Sequence, residues 1–229
     1  MAVKFSLPAG GTTDIVGLSL PVFFVRTPED FHEFVVARIP DSETGKPDMT
    51  KVGAFLAAHP ETQAALGLIF PALAPPESFA TRAYNSIHAY WLVGPDGERR
   101  AGRWRFAPEE GEKNIPVEEA KERPADYLCR EIVERGETRF RLQFILAGEG
   151  DPLDDATAAW PEDREVVDMG RLVVTGADTT RERDGDVLVF DPTRLTGGIE
   201  PSDDPLPQIR SDVYARSVLR RTGVARASA

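Results

Sequence analysis

A segment near the end of the chain is the sequence feature that most constrains the fold. Residues 210–221 read RSDVYARSVLRR, which is a pattern compatible with a helix. At about 100° per residue, Arg210 lies one turn before Tyr214, and Arg221 lies two turns after it. The pattern therefore predicts a helix that carries one tyrosine and two arginines along a single face.

The residues around this segment predict where the helix begins and ends. Asp204 is followed by Pro205. A carboxylate at the N-cap accepts a hydrogen bond from a free amide of the first turn, and proline fits that turn because its missing N–H is not needed there. Gly223 stands just past the arginines and predicts the end of the helix.

The tyrosine and arginine stripe has two chemical interpretations. A guanidinium within hydrogen-bond distance of Tyr214 stabilises a phenolate. A phenolate on a rigid helix is a ligand for ferric iron, and the fork of Arg221 suits a haem propionate. In the ordinary alternative, the arginines complement the helix dipole and the tyrosine simply packs. The segment alone leaves both interpretations open.

Composition excludes several classes of protein. The 229 residues carry a net charge of −11, which argues against a nucleic-acid surface because such a surface needs a basic patch. The single cysteine, Cys129, excludes an internal disulfide and a cysteine-cluster metal site. The sequence contains no apolar run long enough to predict a membrane span.

Periodicity along the chain predicts alternating strands and helices, which indicates an α+β fold. Thr27 and Asp30 have the spacing of a capping box, and Phe31, Phe34 and Val35 lie on one face of the helix that follows. His59 and Pro60 separate two further helices. One helix is predicted to begin at residue 27, and further helices are predicted over 48–58, 60–70, 117–122 and 125–135. The predicted strands cover 3–7, 14–25, 84–94, 99–107, 140–146, 166–175 and 186–190.

Many short blocks, in a fixed order along the chain, are similar to one known family. With the Arg-x-x-x-Tyr pattern, the chain resembles the catalase superfamily, closest to the small catalase-related haem peroxidases. The resemblance extends from about residue 3 to residue 222. The blocks are Val16-Gly17, Pro21-Val22-Phe23-Phe24, Arg26-Thr27-Pro28-Glu29-Asp30-Phe31, Pro47-Asp48-Met49, His59-Pro60-Glu61, Trp160-Pro161, Gly170-Arg171-Leu172-Val173, Phe190-Asp191-Pro192-Thr193 and Gly198-Ile199-Glu200-Pro201-Ser202.

The resemblance implies a fold and a domain organisation. It implies one catalase-like domain over residues 1–229, built on an antiparallel β-barrel with surrounding helices and a C-terminal proximal haem helix. In the family, the first strand follows a segment that carries the distal histidine. We therefore expect the chain to be N-terminally truncated and its barrel to be incomplete at the N-terminus.

The resemblance also implies roles for side chains on the proximal side, where the protein supplies the iron ligand. Tyr214 would bind the iron of a ferric haem, with Arg210 stabilising its phenolate and Arg221 holding a propionate. His88 would contact Arg210 and, together with Asp204, tune the ligand from a second layer. The alternative is a hydrogen-bonded core histidine at His88, with Asp204 acting only as an N-cap.

On the distal side the resemblance implies two aromatic residues and one departure. Phe23 and Phe31 match positions that line the haem pocket, although either could be an ordinary core residue. Leu18 stands where the family usually has asparagine. Because leucine cannot hydrogen-bond peroxide, and because no distal catalytic residue is found in this chain, we expect it to disproportionate hydrogen peroxide more slowly than its relatives do.

The implied function is a haem-dependent oxidoreductase that reduces hydrogen peroxide or organic peroxides in the response to oxidative stress. It would use an unknown electron donor. The alternative is a haem-binding remnant or structural fragment without catalytic turnover. A third possibility, rearrangement of fatty-acid hydroperoxides, would need a long apolar channel that the sequence does not identify. The sequence does not determine whether the chain forms a homo-oligomer, or in which cell compartment it acts.

Overall fold

The computed structural model describes residues 1–178 and 187–221 as a mixture of antiparallel strands and helices. A short 3₁₀ helix covers Phe79–Thr81. The strands are β1 (Ala2–Ser6), β2 (Thr12–Val16), β3 (Tyr84–Asn85), β4 (Tyr90–Val93), β5 (Arg99–Pro108), β6 (Thr138–Leu146), β7 (Val166–Val174) and β8 (Ile199–Pro201). The helices are α1 (Pro28–Ala37), α2 (Met49–Ala58), α3 (Pro60–Ala72), α4 (Val117–Glu122), α5 (Tyr127–Glu134) and α6 (Leu206–Arg221).

The strands pair into two antiparallel sheets. β1 and β2 form a hairpin, and the larger sheet has the order β7-β6-β5-β4-β8, with β3 also paired to β5. The predicted α+β class and the antiparallel pairing are therefore confirmed. Among the described residues the larger sheet is open at β7 and β8 rather than closed into a barrel, so the barrel stays a prediction.

The main core lies on one face of β5 and β6. Phe106 and Phe144 are completely buried, and Trp104 meets Phe144 edge to face at 4.7 Å between ring centroids. Phe140, Phe144 and Leu146 of β6 are buried at alternating positions, as the period of two predicted. Large aromatic rings supply most of the apolar area that stabilises this sheet.

Helix α1 begins as the sequence predicted but is packed differently. Thr27 Oγ1 accepts a hydrogen bond from the amide of Asp30, and Asp30 Oδ2 accepts one from the amide of Thr27, each at 3.1 Å. This capping box confirms the helix start. The predicted apolar face is not buried, however, since Phe31 and Val35 are 41% and 46% exposed.

Two predicted strands were wrong in extent. The second strand ends at Val16 instead of continuing to residue 25, and only an isolated bridge between Leu18 and Asn85 follows it. The predicted strand 84–94 is broken, because Ser86 turns inward and its Oγ accepts from the amide of Trp104 at 2.7 Å. Residues 86–89 are consequently buried one after another instead of alternating.

The segment before the last helix also differs from the prediction. Residues 187–190 form no strand, residue 186 lies outside the described residues, and the predicted charged turn 178–185 does so from residue 179. Residues 199–201, for which no strand was predicted, pair with β4 as strand β8. An edge strand of three residues carries too little local pattern to be predicted.

Helix α6 spans the predicted tyrosine and arginine stripe. It begins at Leu206, and Asp204 Oδ1 accepts a hydrogen bond from the Leu206 amide at 2.9 Å, so the predicted start is confirmed. Gly223, the predicted stop, lies outside the described residues. No described helix is both long and apolar enough to cross a membrane.

Candidate functional site

Tyr214 and Arg210 form the centre of the candidate site on α6. Arg210 donates two hydrogen bonds to Tyr214 Oη, from Nε at 3.0 Å and from Nη2 at 2.8 Å. The i, i+4 spacing predicted this contact. Because a guanidinium only donates, both bonds place positive charge beside the phenol oxygen.

His88 links this pair to the body of the protein. Arg210 Nη1 lies 3.0 Å from His88 Nε2, and His88 Nδ1 lies 2.7 Å from Asp204 Oδ2. Since Arg210 can only donate, Nε2 must be the acceptor, and the imidazole proton is then on Nδ1, facing the carboxylate. These contacts define a neutral histidine held in one tautomer.

The electrostatics of His88 agree with this assignment. The side chain is 1% exposed, and this burial lowers the pKa of His88 below its ordinary value. The Asp204 carboxylate opposes that shift, while the Arg210 charge adds to it. A protonated imidazole would also point its Nε2 proton at the guanidinium, so the neutral form is the one that fits between its two neighbours.

Asp204 combines the two roles that the sequence offered as alternatives. Its Oδ1 accepts from the Leu206 amide and caps α6, while its Oδ2 accepts from His88. The carboxylate is 3% exposed. One buried residue therefore fixes both the start of α6 and the tautomer of His88. We call Asp204, His88, Arg210 and Tyr214 the tyrosine group.

The tyrosine group is suited to an iron ligand in its chemistry and its surroundings. A phenol oxygen is a ligand that ferric iron accepts, and here two guanidinium N–H groups hold that oxygen in place. Tyr214 is half-buried, and its helix presents Ile209 and Val213 at 41% and 53% exposure. An oxygen ligand beside exposed apolar side chains matches a flat, apolar, iron-containing group, so the residues present fit a haem.

Arg221 is the last described residue of α6. Its Nη2 donates to the carbonyl oxygen of Leu188 at 3.4 Å. It is exposed, and the helix is continuous from Tyr214 to this residue, as the sequence predicted. Seven residues correspond to about two turns, so both side chains start from the same face of the helix.

The residues predicted on the distal side form a separate group. The rings of Phe23 and Phe31 stack at 6.2 Å between centroids, with 10° between their planes. Leu18 exchanges two backbone hydrogen bonds with Asn85, at 2.9 and 2.8 Å. Within residues 1–178 and 187–221, no ring contact or hydrogen bond joins these three residues to the tyrosine group directly.

Sequence reasoning did not find the contacts that support α6 on its other side. Ser211 Oγ donates to Asp191 Oδ2 at 2.7 Å, and the amide of Asp191 donates to Asp14 Oδ2 at 2.8 Å. Asp14 and Asp191 are 177 residues apart, and spacing predicts contacts only within one helix or hairpin. The only available signal was a polar residue one turn before Tyr214.

A second cluster of polar side chains joins α1 to α3. His59 stacks on Phe55, and its Nδ1 lies 3.1 Å from Glu61 Oε1 and 3.9 Å from Asp30 Oδ1. Partial burial lowers the pKa of His59, but the carboxylates of Glu61 and Glu33 outweigh it and leave the pKa raised. This cluster is an ion-pair network at the helix junction, where the sequence placed His59.

Comparison with known proteins shows the family to which this chain belongs. The family model described as catalase matches residues 1–228. The chain therefore belongs to the catalase family, and the resemblance found in the sequence is confirmed. The chain also superposes on a fungal catalase with a TM-score of 0.81 at 25% identity, covering 97% of this chain and 47% of that one.

Relatives of similar sequence carry two descriptions. A catalase-related peroxidase of Mycolicibacterium paratuberculosis is 38% identical over 99% of this chain, and one of Synechococcus elongatus is 36% identical over 97%. A catalase of Pseudomonas aeruginosa is 29% identical over 97%. The chain spans 72% and 66% of the two peroxidases and 45% of that catalase.

Proposed function

We propose that this chain carries the proximal haem-binding half of a haem-dependent peroxidase that reduces hydrogen peroxide or organic peroxides. The observation that carries this proposal is the pair of hydrogen bonds from Arg210 to Tyr214 Oη. Membership of the catalase family and similarity to two catalase-related peroxidases support it. The activity belongs to the oxidoreductases that act in the response to oxidative stress.

In this proposal the tyrosine group holds the iron and sets its electronic state. Tyr214 would bind ferric iron through its phenol oxygen, and Arg210 would hold that oxygen with two charged hydrogen bonds. His88 holds Arg210 in place with a neutral nitrogen, and Asp204 holds His88 in one tautomer. The bound haem supplies the redox chemistry that splits the peroxide bond.

Further side chains would shape the haem pocket. Arg221 would bind a propionate, because an arginine fork matches a carboxylate. Phe23 and Phe31 would lie against the porphyrin, with their rings already parallel. Residues 1–229 would form one catalase-like domain in which the two sheets belong to a barrel. The proposal also includes an electron donor and a homo-oligomeric state, but it assigns no residue to either.

One observation favours a second candidate, namely haem binding without efficient turnover. The residue that follows Val16-Gly17 is Leu18, and its side chain has no group that could orient a peroxide. Peroxidase-dye oxidation measured beside haem binding separates the two candidates.

The test is the replacement Tyr214→Phe, which removes only the phenol oxygen. We expect the wild-type chain loaded with haemin to show the spectrum of a high-spin ferric phenolate, and Tyr214→Phe to lose it. Tyr127→Phe is the matched control, because Tyr127 donates to the Pro76 carbonyl at 2.8 Å, away from α6. An unchanged spectrum in Tyr214→Phe would refute the assignment of the ligand.

A further inference from the structure

Among the described residues, helix α6 has few buried side chains for its length. Only Leu206 and Pro207, in its first turn, are buried. Ile209, Val213 and Leu219 are between 41% and 53% exposed. Apolar packing therefore fixes the beginning of the helix but does not fix its rotation about its own axis. Polar contacts further along must determine where Tyr214 points.

Two such contacts come from consecutive residues. Arg210 donates to His88, and Ser211 donates to Asp191 Oδ2 at 2.7 Å. Tyr214 follows Arg210 by four residues and Ser211 by three, so both are its direct neighbours on the helix surface. Because consecutive residues are about 100° apart, the two contacts hold the helix on both sides of the tyrosine.

The acceptor of the serine bond is itself rigid. Asp191 Oδ1 accepts from the Thr193 amide at 2.8 Å and from Thr193 Oγ1 at 2.7 Å. Burial raises the pKa of Asp191, but the hydrogen bonds from Ser211 and Thr193 outweigh this effect and leave the pKa lowered, so the carboxylate stays charged. A charged acceptor makes the bond from Ser211 stronger than one between neutral groups.

The β1–β2 hairpin supports this acceptor in turn. Asp14, whose side chain has no exposed surface, accepts from the amide of Asp191 at 2.8 Å, from Arg194 Nη1 at 2.7 Å and from Lys4 Nζ at 2.8 Å. The amide of Asp14 donates to the Arg194 carbonyl at 3.0 Å. The first hairpin therefore fixes residues 191–194, and these fix Ser211.

We propose that Ser211 and Asp191, supported by Asp14, are positioning residues that set the direction of Tyr214 toward the haem. The inference rests on the proposed function and deepens it, since it adds a second support for helix α6 to the one that His88 provides. The contacts define a clamp, Asp14–Asp191–Ser211, that acts through the rotation of α6 and not by touching the cofactor.

The test uses Ser211→Ala, with Ser217→Ala as the matched control. Ser217 lies on the same helix, and its hydroxyl forms no hydrogen bond among the described residues. In the haem-free protein, we expect Ser211→Ala to increase amide hydrogen exchange in the part of α6 that follows Arg210, whereas Ser217→Ala leaves it unchanged. This measurement does not require haem, so it tests the clamp even if the proposed function fails.

With haemin added, we expect Ser211→Ala to shift the ferric phenolate absorption and to weaken haem binding about tenfold, as the loss of a hydrogen bond to a charged group implies. Ser211→Thr, which restores a hydroxyl, should recover both. Unchanged hydrogen exchange in Ser211→Ala would overturn the clamp, and faster exchange with an unchanged spectrum would overturn its positioning role. If the wild-type chain binds no haem, the proposed function fails and hydrogen exchange alone decides the clamp.

Discussion

At the scale of single residues, the tyrosine group depends on one guanidinium that serves two neighbours. Arg210 uses Nε and Nη2 for Tyr214 and Nη1 for His88. No other side chain has three nitrogen donors fixed in one plane. The geometry therefore requires arginine itself, because a positive charge at that position would not be sufficient.

We expect Arg210→Lys to weaken haem binding although it conserves the charge. A lysine ammonium cannot reproduce the planar fork, so at least one bond to Tyr214 or His88 is lost. A hydrogen bond to a charged group is worth about 1.5–3 kcal/mol, and haem titration should show a loss of that size. The control is Arg130→Lys, because Arg130 of α5 forms an exposed ion pair with Asp126. Equal affinities for the two variants would indicate that the fork is unimportant.

His88 gives the protein a predictable dependence on pH. Burial lowers its folded pKa below the value of about 6.5 expected for the unfolded chain. Below that pH the unfolded chain takes up a proton that folded His88 does not, so the free energy of unfolding falls. The free energy of unfolding falls by at most about 1.4 kcal/mol per pH unit. The contribution of His88 to that free energy is fully present above about pH 6.5.

The measurement is urea unfolding of the wild type and of His88→Gln between pH 7 and pH 5. We expect the wild type to lose more stability than the variant over this interval. His59 has a raised pKa, so its contribution is lost as pH rises, and it cancels in the comparison because both proteins contain it. Identical slopes would show that His88 does not titrate differently in the folded and unfolded chains.

Residue chemistry explains which parts of the site the sequence predicted. The contact between Arg210 and Tyr214 follows from helical spacing, which is local. His88 and Asp204 are 116 residues apart, and only the resemblance to the catalase family connected them. Ser211 and Asp191 are 20 residues apart, and strand β8 lies between them in the chain, so no local pattern predicts their contact.

At the scale of elements, β5 and β6 form the centre of the larger sheet, and a glycine permits their close approach. A Cβ on Gly102 would lie 2.3 Å from Phe144 Cε1 and 2.5 Å from the carbonyl oxygen of Ile145. The oxygen belongs to the backbone and cannot move away easily. The aromatic core of β6 therefore requires glycine at this point of β5.

We expect Gly102→Ala to lower the free energy of unfolding by about 1–3 kcal/mol, as over-packing in a dense core usually does. Gly67→Ala is the opposite case. Gly67 lies inside α3, and apart from its chain neighbours and the backbone of its own helix, no described atom lies within 4 Å of a Cβ at that position. Alanine favours helix over glycine, so this variant should gain about 0.5–1 kcal/mol. Urea unfolding that gave both changes the same sign would contradict the steric argument.

The elements that the sequence predicted well are those with local signals. The capping box at Thr27, the proline at position 60 and the alternation of β6 each lie within a few residues of the structure that they specify. The break between β3 and β4 was missed because it depends on a hydrogen bond from the amide of Trp104, on another strand, to Ser86 Oγ. Pairing of β8 with β4 is equally non-local.

At the scale of the whole molecule, the beginning of the chain supports its last described helix. Asp14 of β2 is completely buried between Lys4 and Arg194, and the amide of Asp191 points at it. Folding of the β1–β2 hairpin and the orientation of α6 are thus coupled through a buried carboxylate. A ligand that binds α6 should therefore stabilise the fold as a unit, beyond its own helix.

We expect added haemin to raise the thermal midpoint of the wild-type chain, and Tyr214→Phe to lose most of that increase. A ligand that binds only the folded state adds about 2.7 kcal/mol at a free concentration one hundred times its Kd. Removing the phenolate weakens binding and reduces this term, while the haem-free stability should change little because Tyr214 is only half-buried. Calorimetry of both proteins, with and without haemin, measures the two quantities separately. Tyr127→Phe should keep the full increase in thermal midpoint that haemin causes, even if this variant is less stable than the wild type without haemin. Equal increases in all three proteins would mean that haemin stabilises this chain without using Tyr214.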